Sequence, residues 1–265
     1  MNTKFTTLET QITNQVATIW LNRPDIRNAF NEVMISELIQ AFNEVAAIEA
    51  VRVIVLRGRG KSFCAGADLN WMRDVASYSY EQNLKESLQL SDCFYTIYNS
   101  PKPTIAVVHG AAIGGANGLL SACDMAICDD ETTFSLSEVK IGIVPACISP
   151  YVIKRVGEYG ARELMLTGRR INGQEAAHIK LVNKTMPAHE LEKAKSMCIA
   201  AHEVDLGDTG SRMMQEALDE LYGVGFKSTL SYGQNIDTVT SEQVREAART
   251  YLNLNKAAIA ITKPE

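Results

Sequence analysis

The order of hydrophobic and polar residues in the first quarter of the chain predicts a strand, a helix and a second strand. Val16–Leu21 (VATIWL) is a short β-prone run, closed by the turn-forming sequence Asn22-Arg23-Pro24. Apolar residues then recur at steps of three and four between positions 32 and 48, which predicts a helix. The run 51–56 (VRVIVL) is almost wholly apolar, a pattern typical of a strand covered on both faces.

A similar succession follows further along the chain. Residues 84–98 have helical periodicity and stop before Pro101 and Pro103, and Thr104–Val108 (TIAVV) predicts a second buried strand. A short helix is expected at 119–123 and a brief strand at 125–128. Glycine-rich loops, at 58–66 and 110–118, follow the two buried strands. A repeated order of strand, loop and helix indicates an α/β core.

The pattern changes after residue 187. Three segments have amphipathic helical periodicity, at 188–201, 211–222 and 241–254, and no strand is predicted there. We therefore divide the chain into a core, residues 1–200, and a C-terminal helical region, residues 201–265.

Composition limits the classes of function. A chain of 265 residues with 46% hydrophobic and 22% charged residues is long enough for a large buried core. The net charge of -5 and the lack of a basic run count against nucleic-acid binding, which needs concentrated Lys and Arg. No run of apolar residues is long enough to predict a membrane span, and the N-terminus does not resemble a secretory signal.

The cysteines and histidines are not spaced as metal ligands. The six cysteines form no CxxC pair, and the four histidines include no HxxxH spacing, so no metal site is expected. Dispersed cysteines without a signal peptide are typical of reduced thiols, and we expect a cytoplasmic protein.

The two glycine-rich loops are the candidate ligand site. The first contains FCAGADL (63–69), whose small residues allow a ligand to approach the backbone, and Asp68 is expected to cap a helix over 69–75. The second precedes a helix, whose unpaired N–H groups suit an anion or a developing oxyanion. Plain tight turns and close helix–sheet packing would select the same small residues. The second loop matches neither a P-loop nor a dinucleotide fingerprint.

Five segments in order carry a more specific resemblance. FCAGADL, PKPTIAVVHGAAIGG, ACDMAI, FSLSEVKIGIVP and ELMLTGRRINGQEAAHIKLVN resemble the enoyl-CoA hydratase/isomerase family, the crotonase superfamily, over nearly the whole chain from about residue 8. GADLNWMR, SYSYEQNL and LSEVKIGIVPACISPYV look most like bacterial methylglutaconyl-CoA hydratase-type members. The resemblance implies a crotonase-like spiral of ββα units with a C-terminal α-helical oligomerisation region. It also implies a homotrimer or homohexamer, and no cofactor beyond the coenzyme A (CoA) of the substrate.

The resemblance also implies roles for individual residues. The backbone N–H groups of Ala67 and Gly115 would form an oxyanion hole for the thioester carbonyl, and Glu138 would be the catalytic acid/base. Arg27 or Lys61 would contact the CoA phosphates, unless each is simply an exposed charge. The expected CoA and substrate contacts are Arg27, Asn28, Ala29, Ala65, Gly66, Ala67, Asp68, Leu69, Gly114, Gly115 and Gly118.

The residues around Glu138 predict its environment independently of the resemblance. Phe134 and Leu136 precede it and Val139 and Ile141 follow it, so we expect a buried turn that raises the pKa of the carboxyl group. The alternative is a carboxylate at a helix N-terminus, stabilised by the helix dipole.

Gly118 departs from the pattern of the familiar hydratases, which have a second glutamate at this position. A single carboxylate suits an isomerase that moves a proton between carbons, or hydration in which Glu138 alone handles the water. We also expect the space beside Gly118 to admit a branched or carboxylated acyl group.

Several further residues have alternative interpretations. Asp124 is expected to order a turn rather than act in catalysis. Cys147 would line the acyl pocket, and no activating residue lies near it in sequence. Trp71 and Met72 fit a pocket or a helix core equally well. The candidate cations for an acyl carboxylate are Arg73, Lys140, Lys154 and Arg155.

Three functions follow from this sequence, in order of preference. The first is hydration of a branched 2-enoyl-CoA of methylglutaconyl type, and the second is enoyl-CoA isomerisation with Glu138 as the single base. The third is an RNA-binding or catalytically inactive family member, against which the acidic net charge counts.

Overall fold

The computed structural model describes residues 4–188. The helices predicted after residue 187, Cys198 and the boundary at residue 200 therefore lie outside the described residues, apart from position 188. The helical C-terminal region, the homotrimer or homohexamer and the cytoplasmic location remain predictions.

The described part of the chain alternates strands and helices. The strands are β1 (Leu8–Thr13), β2 (Val16–Leu21), β3 (Val53–Gly58), β4 (Thr104–Val108), β5 (Ala111–Ile113), β6 (Met125–Asp129), β7 (Thr133–Ser135) and β8 (Lys184–Met186). The helices are α1 (Glu32–Ala46), α2 (Leu69–Val75), α3 (Tyr80–Tyr98), α4 (Ala116–Ala122), α5 (Ser149–Thr167) and α6 (Gly173–His178). Short 3-10 helices span Pro24–Ile26 and Glu138–Ile141.

The strands form two sheets. The larger has the order β1-β2-β3-β4-β6-β8, in which only β1 runs antiparallel to its neighbour. The smaller pairs β5 with β7 in parallel. Parallel strands joined by helical connections confirm the predicted α/β core.

Burial on both faces explains the continuous apolar sequence of β3. Ile54 and Leu56 belong to the main core cluster, and Val53 and Val55 belong to a second cluster with residues of β2, β4, β6 and β8. Successive strand residues point to opposite faces, so both sets must be apolar. The strand begins two residues later than predicted, at Val53.

Apolar periodicity predicts the buried face of a long helix, but it does not predict a polar first turn. In α1 the predicted apolar face, Met34, Leu38, Phe42 and Val45, is at most 1% exposed. Helix α3 begins at Tyr80 rather than residue 84, because a capping box between Ser79 and Gln82 starts it with a polar, exposed turn.

Four strands and two helices were not predicted: β1, β5, β7, β8, α5 and the six-residue α6. Strand β1 is mostly exposed, and β5, β7 and β8 have only three residues each, too few to show a period. Helix α5 was missed because its apolar pattern is interrupted at Gly157, whose φ is 74°.

Residues 4–188 contain neither a membrane-spanning helix nor a cluster of metal-binding side chains. No helix there is long and apolar enough to cross a membrane. No group of three or more His, Cys, Asp and Glu side chains in this part of the chain is arranged to hold a metal ion.

Candidate functional site

The first glycine-rich loop follows β3 and continues as an extended segment. This segment forms backbone hydrogen bonds with β5 on one side and with Arg27 on the other. The Cys64 N–H donates to the Ala111 carbonyl (3.1 Å), and the Ile113 N–H donates to the Cys64 carbonyl (3.1 Å). On the other side, the Ala65 N–H donates to the Arg27 carbonyl (2.9 Å). The segment therefore joins β5 to the stretch that precedes α1.

Ala67 lies between two hydrogen bonds that Phe30 makes to the same loop. The Phe30 N–H donates to the Gly66 carbonyl (2.9 Å), and the Asp68 N–H donates to the Phe30 carbonyl (2.9 Å). In an extended chain the residue between two such bonds directs its own N–H the opposite way. Within residues 4–188 the Ala67 N–H has no acceptor.

Gly66 brings the two loops into direct contact. Its φ is +92°, and a Cβ atom placed on it would lie 2.7 Å from the Ile113 carbonyl oxygen and 3.9 Å from Gly114 Cα. Both the backbone conformation and the close approach require glycine.

The second loop connects β5 to α4 through Gly114 and Gly115. Gly114 has φ +56°; its N–H donates to the Ser135 carbonyl (2.7 Å), and its carbonyl accepts from the Asn117 N–H (2.9 Å). Gly115 precedes the first residue of α4, and its N–H has no acceptor among the described residues. A second donor is thus available next to the first loop.

Phe30 also ties the loops together through its ring. A Cβ atom on Gly115 would lie 2.5 Å from Phe30 Cζ, so the ring covers this glycine. The ring also packs against Trp71, with centroids 6.3 Å apart. The sequence reasoning missed Phe30, because a single apolar residue before a helix carries no sign of such a contact.

The Glu138 carboxylate lies against the second loop. A Cβ atom on Gly114 would be 3.4 Å from Glu138 Oε1. Glu138 is 9% exposed, and its Oε2 is buried without a hydrogen-bond partner in the described residues. Burial raises the pKa of Glu138, and a hydrogen bond from its own backbone N–H partly offsets this.

The predicted buried turn is therefore confirmed for Glu138, although not for all its neighbours. Phe134 and Leu136 are buried, but Val139 and Ile141 are 40% and 58% exposed. Glu138 is the first residue of the 3-10 helix, so the chain turns outward immediately after it. Glu138 also satisfies the positional part of the alternative prediction, because it begins a helix.

The expectation of open space beside Gly118 is wrong. A Cβ atom there would overlap Ile148 Cγ2 and would lie 2.8 Å from Phe94 Cε1. Both side chains are at most 3% exposed. The volume that a side chain at position 118 would need is filled by α3 and the residue before α5.

The residues expected near CoA divide into exposed and buried ones. Arg27 and Lys61 are exposed, and Leu69 is 74% exposed. Ala29 is 8% exposed. Asn28 is fully buried: its amide donates to the carbonyls of the 59–63 loop and accepts from the Arg23 N–H, so this side chain supports the fold and has no surface for CoA.

Asp68 caps α2, as predicted. Its Oδ1 accepts from the Asn70 N–H (2.9 Å), and its Oδ2 pairs with Arg23 (2.9 Å). Ala65 and Ala67 are half-buried and Gly66 is buried. Because these side chains are small or absent, a ligand at this loop would contact mainly its backbone.

Two of the four candidate cations are engaged in structural contacts. Arg155 donates to the carbonyls of Ser121 and Cys123, and burial lowers its pKa. Lys154 donates to the Tyr98 hydroxyl (2.7 Å) and lies over that ring. Arg73 and Lys140 are exposed and form no ion pair within residues 4–188.

Hydrogen bonds and burial decide between the alternative interpretations of the remaining residues. Asp124 accepts from the N–H and hydroxyl of Thr104, which confirms a structural role. Burial raises the pKa of the Cys147 thiol, which disfavours the nucleophilic thiolate. Trp71 is half-buried, and its Nε1 has no partner in the described region. The described cysteines, Cys64, Cys93, Cys123, Cys128 and Cys147, are free thiols.

Comparison with known proteins gives the family. Residues 11–260 match the model of the enoyl-CoA hydratase/isomerase family. The chain belongs to this family. A Pseudomonas fluorescens relative, hydroxycinnamoyl-CoA hydratase-lyase, is 35% identical over 195 residues, which cover 72% of this chain and 70% of the relative.

Solved structures agree with this assignment. The crystal structure of an enoyl-CoA hydratase from Shewanella pealeana has a TM-score of 0.74 at 33% identity, covering 96% of this chain and 90% of that one. An enoyl-CoA hydratase from Bacillus anthracis has a TM-score of 0.70 at 29% identity, covering 92% and 96%. The predicted crotonase fold is thereby confirmed.

Proposed function

We propose that this family member hydrates a 2-enoyl-CoA thioester, with the N–H groups of Ala67 and Gly115 as the oxyanion hole and Glu138 as the acid/base. One observation carries the proposal. Two loops in direct contact each offer a backbone N–H without an acceptor in the described residues, and a buried carboxylate lies beside one of them.

The arrangement suits addition of water to a conjugated thioester. As the water oxygen bonds to Cβ, Glu138 accepts one water proton and the electrons of the double bond move to the thioester oxygen. The two N–H groups stabilise that enolate oxygen, and one such donor is typically worth roughly 3 kcal/mol in the transition state. The protonated Glu138 then delivers its proton to Cα, which completes the addition.

Burial of Glu138 supports this role. A carboxyl group with a raised pKa exchanges protons more readily near neutral pH than an exposed one. Coenzyme A enters as part of the substrate, and the proposal requires no separate cofactor.

The resemblance around residues 66–73 and 135–152 supports a branched acyl group of methylglutaconyl type. The terminal carboxylate of such a substrate needs a cation, and the exposed Arg73 and Lys140 are the two candidates without an ion pair in the described region. The Pseudomonas fluorescens relative, a hydratase-lyase by name, supports hydration more generally.

Isomerisation of an enoyl-CoA is the second candidate, favoured by the environment of Gly118. Ile148 and Phe94 fill the space that a side chain at position 118 would need, so α4 supplies no second carboxylate for proton transfer beside Glu138. A single base that moves a proton between two carbons of the enolate fits that arrangement.

The test of the acid/base role is Glu138→Gln. Turnover should fall on the order of 100-fold to 10,000-fold, because the amide cannot accept the proton, while a saturated acyl-CoA should bind as before. Glu131→Gln, at an exposed carboxylate, is the matched control and should keep full turnover. Unchanged turnover in Glu138→Gln would remove Glu138 as the base.

Mass spectrometry separates the two reactions. The protein is incubated separately with 3-methylglutaconyl-CoA and with a 3-enoyl-CoA. A hydratase adds the mass of one water to the former, whereas an isomerase leaves the mass of the latter unchanged while moving its double bond. RNA retardation in a gel at low salt, without either reaction, would favour the RNA-binding alternative.

A further inference from the structure

Asn117 is the most heavily hydrogen-bonded side chain next to the second loop. It is fully buried in the first turn of α4, and its Nδ2 lies 3.0 Å from the Gly114 carbonyl, 3.0 Å from the Ser135 carbonyl and 3.2 Å from the Ala112 carbonyl. These three acceptors belong to β5, to the loop itself and to β7. One amide therefore joins the three segments that surround Gly114.

The bond to Gly114 has a direct consequence for Gly115. The Gly114 carbonyl and the Gly115 N–H belong to the same peptide group, which is planar and trans. In such a group the two polar atoms point in opposite directions. The Gly114 carbonyl accepts from both the backbone N–H and the side chain of Asn117, so the side chain adds to the constraint on where the Gly115 N–H points.

The same bond also strengthens the donor. A hydrogen bond to the carbonyl polarises the peptide group, and such cooperativity increases the strength of the next bond by about 10–30%. The Gly115 N–H is the one that lacks an acceptor within residues 4–188.

The position of Glu138 is linked to the same contacts. The Gly114 N–H and Asn117 both bond to Ser135, which ends β7 three residues before Glu138. Gly114 itself lies against the Glu138 carboxylate. The amide of Asn117 thus holds the donor loop and the segment that leads to the acid/base in one arrangement.

We propose that Asn117 is a positioning residue that aims the Gly115 N–H at the thioester oxygen and holds its distance from Glu138. This inference rests on the proposed function. Asn117 acts through the Gly114–Gly115 peptide group and does not touch the substrate.

Asn117→Ala tests the proposal by kinetics and spectroscopy. We expect kcat on a 2-enoyl-CoA to fall roughly tenfold, as for a weakened oxyanion donor, while the dissociation constant of a saturated acyl-CoA changes less than about twofold. Ser121→Ala is the control. Ser121 lies one turn further along α4, and its buried hydroxyl has no partner in the described residues.

The spectroscopic readout is the absorption of a bound 2,4-dienoyl-CoA. Hydrogen bonds to its carbonyl polarise the conjugated system and move the absorption to longer wavelength. The unmodified protein and Ser121→Ala should give the full red shift, and Asn117→Ala a smaller one. A residue that only fills the core would lower the amount of folded protein without changing the spectrum of the bound ligand.

Asn117→Ser guards against a variant that simply unfolds. It keeps a single, shorter donor, so an intermediate red shift is expected at temperatures below each variant's melting temperature. If Asn117→Ala and Asn117→Ser both give the red shift of the unmodified protein, the role of Asn117 is overturned, while the proposed oxyanion hole is not. A missing red shift in the unmodified protein would overturn the proposed oxyanion hole, and the role of Asn117 with it.

Discussion

The two glycine-rich loops of the candidate site are held by different kinds of contact. The first, around Gly66, is extended and bonds through its own backbone to β5 on one side and to Arg27 and Phe30 on the other. The second, around Gly114, also has backbone bonds, to Ser135 and Asn117, but it is held in addition by the side chain of Asn117 and by packing behind Gly118. The first should therefore be sensitive to changes of backbone conformation, and the second to changes of side chain.

Gly66→Ala should have the largest effect on stability. The strained φ and the approach to the Ile113 carbonyl together should cost about 3 kcal/mol of unfolding free energy. Gly142→Ala is the matched control: φ is +76° there, but no described atom lies within 4 Å of the added Cβ, so it should cost about 1 kcal/mol. Equal losses in urea titrations would show that the loop contact at Gly66 contributes nothing.

Gly118→Ala tests packing behind the second loop. The added methyl group meets Ile148 and Phe94, and overpacking of this kind should cost about 2 kcal/mol. In Gly160→Ala, another glycine within a helix, the nearest atom is 3.4 Å away, and the gain in helix propensity should leave stability unchanged or raised. Thermal unfolding of both variants measures the difference, and a stable Gly118→Ala protein would contradict the filled position.

The pH dependence of stability should give the smallest effect. The raised pKa of Glu138 means that the folded protein binds this proton more tightly than the unfolded chain does. Glu138 therefore reduces stability as pH rises from the ordinary range of a carboxyl group through its raised folded-state pKa. Glu138→Gln should be more stable than the unmodified protein at neutral pH, with the difference vanishing in acid. A pH-independent difference would show that Glu138 is not desolvated.

Much of the site could be predicted from local sequence. Burial of Glu138 was predicted from Phe134 and Leu136, and the cap at Asp68 from the helix that follows it. Such features depend on residues a few positions away, so they leave a pattern in the sequence. Exposure of Val139 and Ile141 was not predictable in this way, because the direction of the chain after Glu138 depends on the surrounding fold.

By itself, the sequence determined the alternation of strands and helices, both glycine-rich loops and, through family resemblance, the crotonase fold. These follow from short-range periodicity and from segments in a fixed order. Only the tertiary structure decided what those loops touch: Gly66 against Ile113, Asn117 against Ser135 and Ile148 against Gly118. The physical reason is distance along the chain, since these contacts join residues whose proximity is set by how separate elements pack.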